Sequence, residues 1–217
     1  MHKSINNLTS IEDQIKSKFK ESVNSKIIAV SKTFSMIEIK PLIDHGHIHF
    51  GENKVQESVE KWTDVKSSFQ NIRLHMIGKL QTNKVKYVIP LFDYIHSLDN
   101  LKLAEKISEE QKKRNKYLKI FIQVNIGNED QKSGINPKDL KDFYNKCALD
   151  LNLDVIGLMC IPPQDDDVKK YFSEMLDLKN SLDLKELSMG MSSDYIEAIE
   201  HGSTFVRIGS KIFGNRY

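Results

Sequence analysis

Lys32 follows the apolar run Ile27-Ile28-Ala29-Val30, so an amine stands where a buried strand would end and a loop begin. A lysine held there, partly desolvated and near a second cation such as Arg207, is favoured as the neutral amine that condenses with an aldehyde. Near the other end of the sequence, Thr204-Phe205-Val206-Arg207-Ile208 reads as a strand delivering an arginine, followed by Gly209-Ser210, a turn suited to a phosphate. A second small turn, Met189-Gly190-Met191-Ser192-Ser193-Asp194, precedes a helical stretch from Tyr195 to His201, so its backbone N–H groups and the Ser192 hydroxyl are candidates for the same anion. Each feature also has a plain structural reading: a surface lysine, two capped turns, an arginine in an ion pair. Arg207 at an apolar strand must find an acceptor, either a carboxylate or a ring nitrogen of a ligand. Facing a pyridine nitrogen, it would keep that nitrogen unprotonated and restrain carbanion chemistry.

Such residues need a frame that brings the ends of the chain together. Eight short apolar segments recur at Lys26–Val30, His47–Phe50, Ile72–Ile77, Tyr94–Ser97, Leu118–Ile126, Leu153–Cys160, Leu187–Met189 and Thr204–Ile208, with helical patterns between them. This alternation fits a (β/α)8 TIM-type barrel, a single α/β domain over residues 1–217. An open doubly wound sheet is the competing frame, but its phosphate turn normally carries more glycine than Ser31-Lys32-Thr33 offers. Ile11, Ile15, Phe19 and Val23 behind Ser10 as N-cap predict an extra amphipathic helix within residues 1–25. Ser35 with Glu38 predicts a capping box, Gly46 and Gly202 mark helix ends, Asn136-Pro137 opens a helix, and Pro41 should kink or shorten its own.

In a barrel, chemistry gathers where strands end. That rule singles out Lys32, Asn53, His75, Gly78, Ser97, Asn125, Met159, Ser188 to Ser192, and Arg207 to Ser210. His45, His47 and His49 alternate and invite a metal reading, but no cysteine or acidic cluster completes a ligand set, so no metal is expected.

Composition narrows the classes further. With 217 residues, 39% hydrophobic, the chain can bury a sizeable core, and a net charge of +2 spread among acidic residues gives no stripe for a nucleic acid. Lys112-Lys113-Arg114 reads as a solvated helix end. Cys147 and Cys160 lack metal-ligand spacing and suit a reducing, cytoplasmic setting, with Cys160 read as a core thiol. No secretion signal opens the sequence and no apolar run is long enough for a membrane span, so neither a membrane nor glycosylation at Asn7 is expected. Asp165-Asp166-Asp167 after Pro162-Pro163 reads as a loop entering a helix N-terminus.

Several motifs occur in a fixed order: Ala29-Val30-Ser31-Lys32; Phe50-Gly51-Glu52-Asn53 with Val55-Gln56-Glu57; His75-Met76-Ile77-Gly78 with Leu80-Gln81-Thr82-Asn83-Lys84; Lys132-Ser133-Gly134; Leu187-Ser188-Met189-Gly190-Met191-Ser192; and Val206-Arg207-Ile208-Gly209. From about Lys26 to Gly214 the chain thereby resembles the pyridoxal phosphate homeostasis proteins, whose barrel is similar to the N-terminal domain of alanine racemase. The resemblance implies that Lys32 forms the internal aldimine, that Arg207 faces the pyridine nitrogen, and that Ser192, Gly209 and Ser210 hold the phosphate. Asn53 would line the pocket, with Met189 and His75 nearby. Lys54 and Leu74 stand where the family commonly has aromatics.

The resemblance further implies a carrier of pyridoxal phosphate that passes the cofactor to apo-enzymes, and without a β domain the racemase-style dimer would lose its main contact, so a monomer is expected. A racemase of the related fold needs two bases on opposite faces, the second from a partner subunit's C-terminal β domain, and nothing after Gly214 is expected to build one. A small stand-alone amino-acid racemase is the alternative, and a barrel enzyme using a Schiff-base lysine on phosphorylated sugars is a third.

Overall fold

Eight parallel strands close on themselves in sequence order in the computed structural model, which describes residues 2–20, 23–129, 131–163 and 166–214. They are β1 (Lys26–Val30), β2 (His49–Glu52), β3 (Arg73–Met76), β4 (Tyr94–Leu98), β5 (Lys119–Val124), β6 (Val155–Cys160), β7 (Glu186–Ser188) and β8 (Phe205–Ile208). Parallel strands covered on both faces read as largely apolar runs, as β1 and β5 do, whereas β2, β3 and β4 each carry an inward histidine. Closure comes from β8 pairing with β1, with Ile28 beside Arg207 and Ala29 beside Ile208. That register brings the two ends of the chain to one rim of the barrel.

Helices cover the outside: α1 (Lys3–Phe19), α2 (Met36–Asp44), α3 (Val55–Ser68), α4 (Val85–Leu91), α5 (Leu101–Arg114), α6 (Leu140–Asn145), α7 (Val168–Ser181), α8 (Tyr195–Glu200) and α9 (Ser210–Phe213). The extra leading helix is present and buries Leu8, Ile11 and Ile15, but it starts earlier than expected. His2 is its N-cap and Ser10 lies mid-helix, because the apolar period already includes Leu8. Its end at Phe19 leaves Val23 outside it, packed against the core from the loop.

Pro41 neither breaks nor ends α2: the His45 N–H still donates to the Pro41 carbonyl at 3.0 Å. Ile37, whose carbonyl the proline leaves without its helical partner, is 85% exposed, so water can take that acceptor. The capping box forms, with the Ser35 N–H donating to Glu38 Oε2 at 2.9 Å. Gly46 and Gly202 take φ of +95° and +82° just past their helices, the left-handed backbone that glycine adopts without strain. Asp167 caps α7 by accepting from the Lys169 N–H, while Asp165 lies outside the described residues.

Most of the core lies between strands and helices. A smaller cluster of Ile28, Phe121, Met159 and Phe205 fills the barrel itself. No helix among the described residues is long and apolar enough to cross a membrane.

Candidate functional site

A cleft of about 530 Å³ opens at the C-terminal ends of the strands and is lined by Lys32, Asn53, Ser192, Arg207, Gly209 and Ser210. Six of the eight residues picked from the sequence thus share one cavity, whose size falls in the range of roughly 300–1,000 Å³ usual for small-molecule sites. Val30, Phe34, Ile77, Ile161 and Met191 give it apolar walls. A groove of about 650 Å³ along α1 is larger, but it lies away from the strand ends and carries none of these groups.

The Lys32 loop is held on both sides. The Ser31 N–H donates to the Gly51 carbonyl at 3.0 Å, and the Ser31 hydroxyl donates to Glu52 Oε1 at 2.8 Å. Lys61 Nζ reaches from α3 to the Ser31 carbonyl at 3.0 Å, to Glu52 Oε1 at 3.0 Å and to Glu57 Oε1 at 2.8 Å. Glu57 in turn accepts the Thr33 N–H at 2.7 Å, where Thr33 turns with φ +69°. Burial pushes the Glu52 carboxyl above its ordinary range, with Lys61 and the indole N–H of Trp62 opposing. Phe34 then stacks on Phe213 of α9, with ring centres 4.7 Å apart, joining the lysine loop to the opposite wall.

Arg207 is 5% exposed and finds its acceptors in backbone and hydroxyl oxygens, not in a carboxylate. Nη1 donates to the Ser188 carbonyl at 2.6 Å and to Ser188 Oγ at 2.8 Å, and Nη2 donates to the Cys160 carbonyl at 2.8 Å. Among the described residues no carboxylate is in ion-pair reach of it. Three of its five donors are used, leaving a buried, permanently protonated group that lines the cleft with donors to spare.

Asn53 Oδ1 is buried with no partner among the described residues, an atom that a bound molecule would satisfy. The two turns face the cleft as the sequence suggested. Asp194 Oδ1 accepts the Met191 N–H at 2.6 Å and tightens the first, leaving Ser192 and Ser193 to line the cavity. Ser210 is the first residue of α9; the Ile212 and Phe213 N–H groups donate to the Gly209 carbonyl at 3.0 and 2.9 Å, and the Lys211 N–H donates to Ser192 Oγ at 3.4 Å, which ties the two turns together.

Two expected pocket residues are elsewhere. Met189 is fully buried among the core side chains, and Met191 lines the cleft instead. His75 is fully buried inside the barrel beneath the cleft, bonded to His49 and His96. Of the alternating histidines, His47 precedes β2 and donates from Nε2 to the His49 carbonyl, while His49 contacts His75; both line a groove with Lys26 and Ile27. Among the described residues no group of three His, Cys, Asp or Glu side chains is placed to hold a metal ion. Lys54 is exposed and Leu74 is buried in the core, so neither lines the cleft. Cys160 is a buried thiol that burial pushes up to about 12. Phe34, Ile77 and Ile161 escape a reading of the sequence because apolar residues beside a strand end look the same whether they face helices or a cavity.

The family model described as the N-terminal domain of alanine racemase matches residues 6–216. A pyridoxal phosphate homeostasis protein of Aquifex aeolicus is 39% identical over 201 residues, spanning 88% of this chain and 87% of its own. A protein of the same name from Escherichia coli is 35% identical over 199 residues, spanning 88% and 85%. Among solved structures, PipY of Synechococcus elongatus with PLP bound matches with a TM-score of 0.84 at 31% identity, over 97% of this chain and 100% of that one. Alanine racemase of Clostridium difficile matches with a TM-score of 0.73 at 17% identity over 99% of this chain and 57% of its own, a likeness of fold.

Proposed function

The chain belongs to the pyridoxal phosphate homeostasis protein family, and from that premise we propose that its cleft binds pyridoxal phosphate reversibly and releases it to apo-enzymes without a strong catalytic activity of its own. The observation that carries this reading is a single cavity containing a lysine, two small turns and a buried arginine that no carboxylate among the described residues pairs with. The cofactor supplies a reactive aldehyde and, when its ring nitrogen is protonated, an electron sink.

Lys32 is the amine for the aldehyde, on a loop braced by Ser31, Lys61 and Glu57. Ser192, Gly209 and Ser210 are the phosphate cradle, and Asn53 offers its unpartnered amide oxygen to the ligand. Arg207 holds a positive charge at the cleft that would disfavour a proton on a bound ring nitrogen, which suits storage better than amino-acid chemistry. The apolar walls limit water access and slow loss of the bound aldehyde.

Titrating the purified protein with pyridoxal phosphate is expected to produce the visible absorbance of covalently held cofactor. Lys32→Ala should abolish that band while keeping weaker, phosphate-dependent binding. An unchanged band in Lys32→Ala would move the attachment to another lysine. Sustained exchange of the alanine Cα proton in deuterated water would make the chain a racemase instead.

A further inference from the structure

Five side chains from five strands bond end to end through the barrel interior. His49 Nδ1 lies 3.0 Å from His75 Nε2, His75 Nδ1 lies 2.9 Å from His96 Nε2, and His96 Nδ1 lies 2.8 Å from Ser188 Oγ. Arg207 Nη1 donates to that same Ser188 Oγ at 2.8 Å. His75, His96 and Ser188 are all fully buried. Packing fixes the rings: His75 stacks on Tyr94 and His96 on Phe121, each pair 4.2 Å apart, while Phe205 lies nearly perpendicular to His49 and His96.

Counting protons along this chain gives one consistent answer. A guanidinium can only donate, so Ser188 Oγ accepts from Arg207 and its own hydrogen needs an acceptor. Among the described residues the one other polar atom bonded to Ser188 Oγ is His96 Nδ1. That nitrogen therefore carries no proton, the proton of His96 sits on Nε2, and it is donated to His75 Nδ1. The same logic passes through His75 to His49. The opposite order would leave a buried hydroxyl hydrogen without an acceptor.

We propose that Ser188, His96, His75 and His49 form one proton-ordered chain that positions the Arg207 guanidinium in the cleft, with all three rings neutral and protonated on Nε2. The positioning role rests on the cofactor-binding reading above; the proton order does not. The surroundings favour neutral rings. Burial is the main cause in each, reinforced at His49 by His47, Lys26 and Arg73 against Asp93, at His75 by His96, His49, Lys66 and His47, and at His96 by Arg207 and His49. These hold His49 down to about 4 and the other two well below their ordinary value.

Histidine ring ¹⁵N spectra of the cofactor-free protein test the order directly. Wild-type protein should show Nε2–H tautomers at all three rings, with none titrating between pH 6 and 8. Ser188→Ala removes the donor to His96 Nδ1, so Nδ1–H signals should emerge at His96, His75 and His49. Ser188→Thr, which keeps a hydroxyl, should restore the wild-type pattern. In the loaded protein Ser188→Ala should also raise the pH at which the visible spectrum changes, since a loosened Arg207 protects the ring nitrogen less. Nδ1–H tautomers in the wild type, or a ring that titrates near neutrality, would overturn the proposal even if the alanine variant failed to fold. Released tautomers with an unmoved spectral profile would overturn the positioning role.

Discussion

A single absent side chain sets Asn53. A Cβ on Gly78 would lie 2.7 Å from the Asn53 Cα and closer still to its carbonyl oxygen, so residue 78 must be glycine for the Asn53 backbone to stay where it is. Gly78→Ala is expected to displace Asn53, weakening cofactor binding roughly tenfold and costing about 1–3 kcal/mol of stability. Cofactor titration and urea unfolding measure the two effects, and an unchanged affinity would detach Asn53 from the site. Lys32 and Asn53 are legible because each lies just past a strand end, Arg207 because a cation interrupts the apolar run of β8, and Ser192 because it sits in the small turn before α8. Met189 and His75 were not, because a strand alternates faces and one residue decides which way a side chain points. Nor could the sequence reveal the Lys61 brace on Ser31, which joins residues remote along the chain by a side chain that looks like any helix-surface lysine.

At the scale of elements, β2, β3 and β4 contribute a buried imidazole layer, and this makes stability depend on pH. His49, His75 and His96, together with His47 beside them, are all pulled down by burial. Above about 6.5 the rings are neutral in folded and unfolded chains alike, and their contribution is fully present. As pH falls below that value the unfolded chain takes up protons that the fold refuses, so stability is lost toward about 4 for His47 and His49 and further for the other two. Each fully buried ring contributes about 1.4 kcal/mol per pH unit in that window. Glu52, pushed up by burial, works in the opposite sense and offsets part of the slope. Urea midpoints should therefore fall between pH 6.5 and 5, and His96→Phe should flatten the slope by about one proton. A midpoint independent of pH over that range would contradict the burial of neutral rings. The strands are the most legible elements, since each keeps a short apolar stretch between helical patterns even where a histidine interrupts it. Helix starts were less so: Ser10 is a good cap by residue type, yet the period of Leu8, Ile11 and Ile15 carries α1 past it.

Across the whole molecule, function depends on closure. Pairing of β1 with β8 is what puts Lys32 and Arg207, from opposite ends of the sequence, on one cavity. Eight strand segments point to a barrel, and a barrel has one rim where strand ends meet, so the meeting of Lys32 with Arg207 is legible in the strand count itself. The depth of the cleft was not, because Phe34, Ile77 and Ile161 become its walls only through tertiary packing. Borohydride reduction of the cofactor-loaded protein, followed by intact mass and peptide mapping, asks directly whether those two ends make one cofactor site. One reduced cofactor per chain, fixed on the peptide containing Lys32, is the expected result; no adduct, or an adduct confined to another lysine, would contradict it.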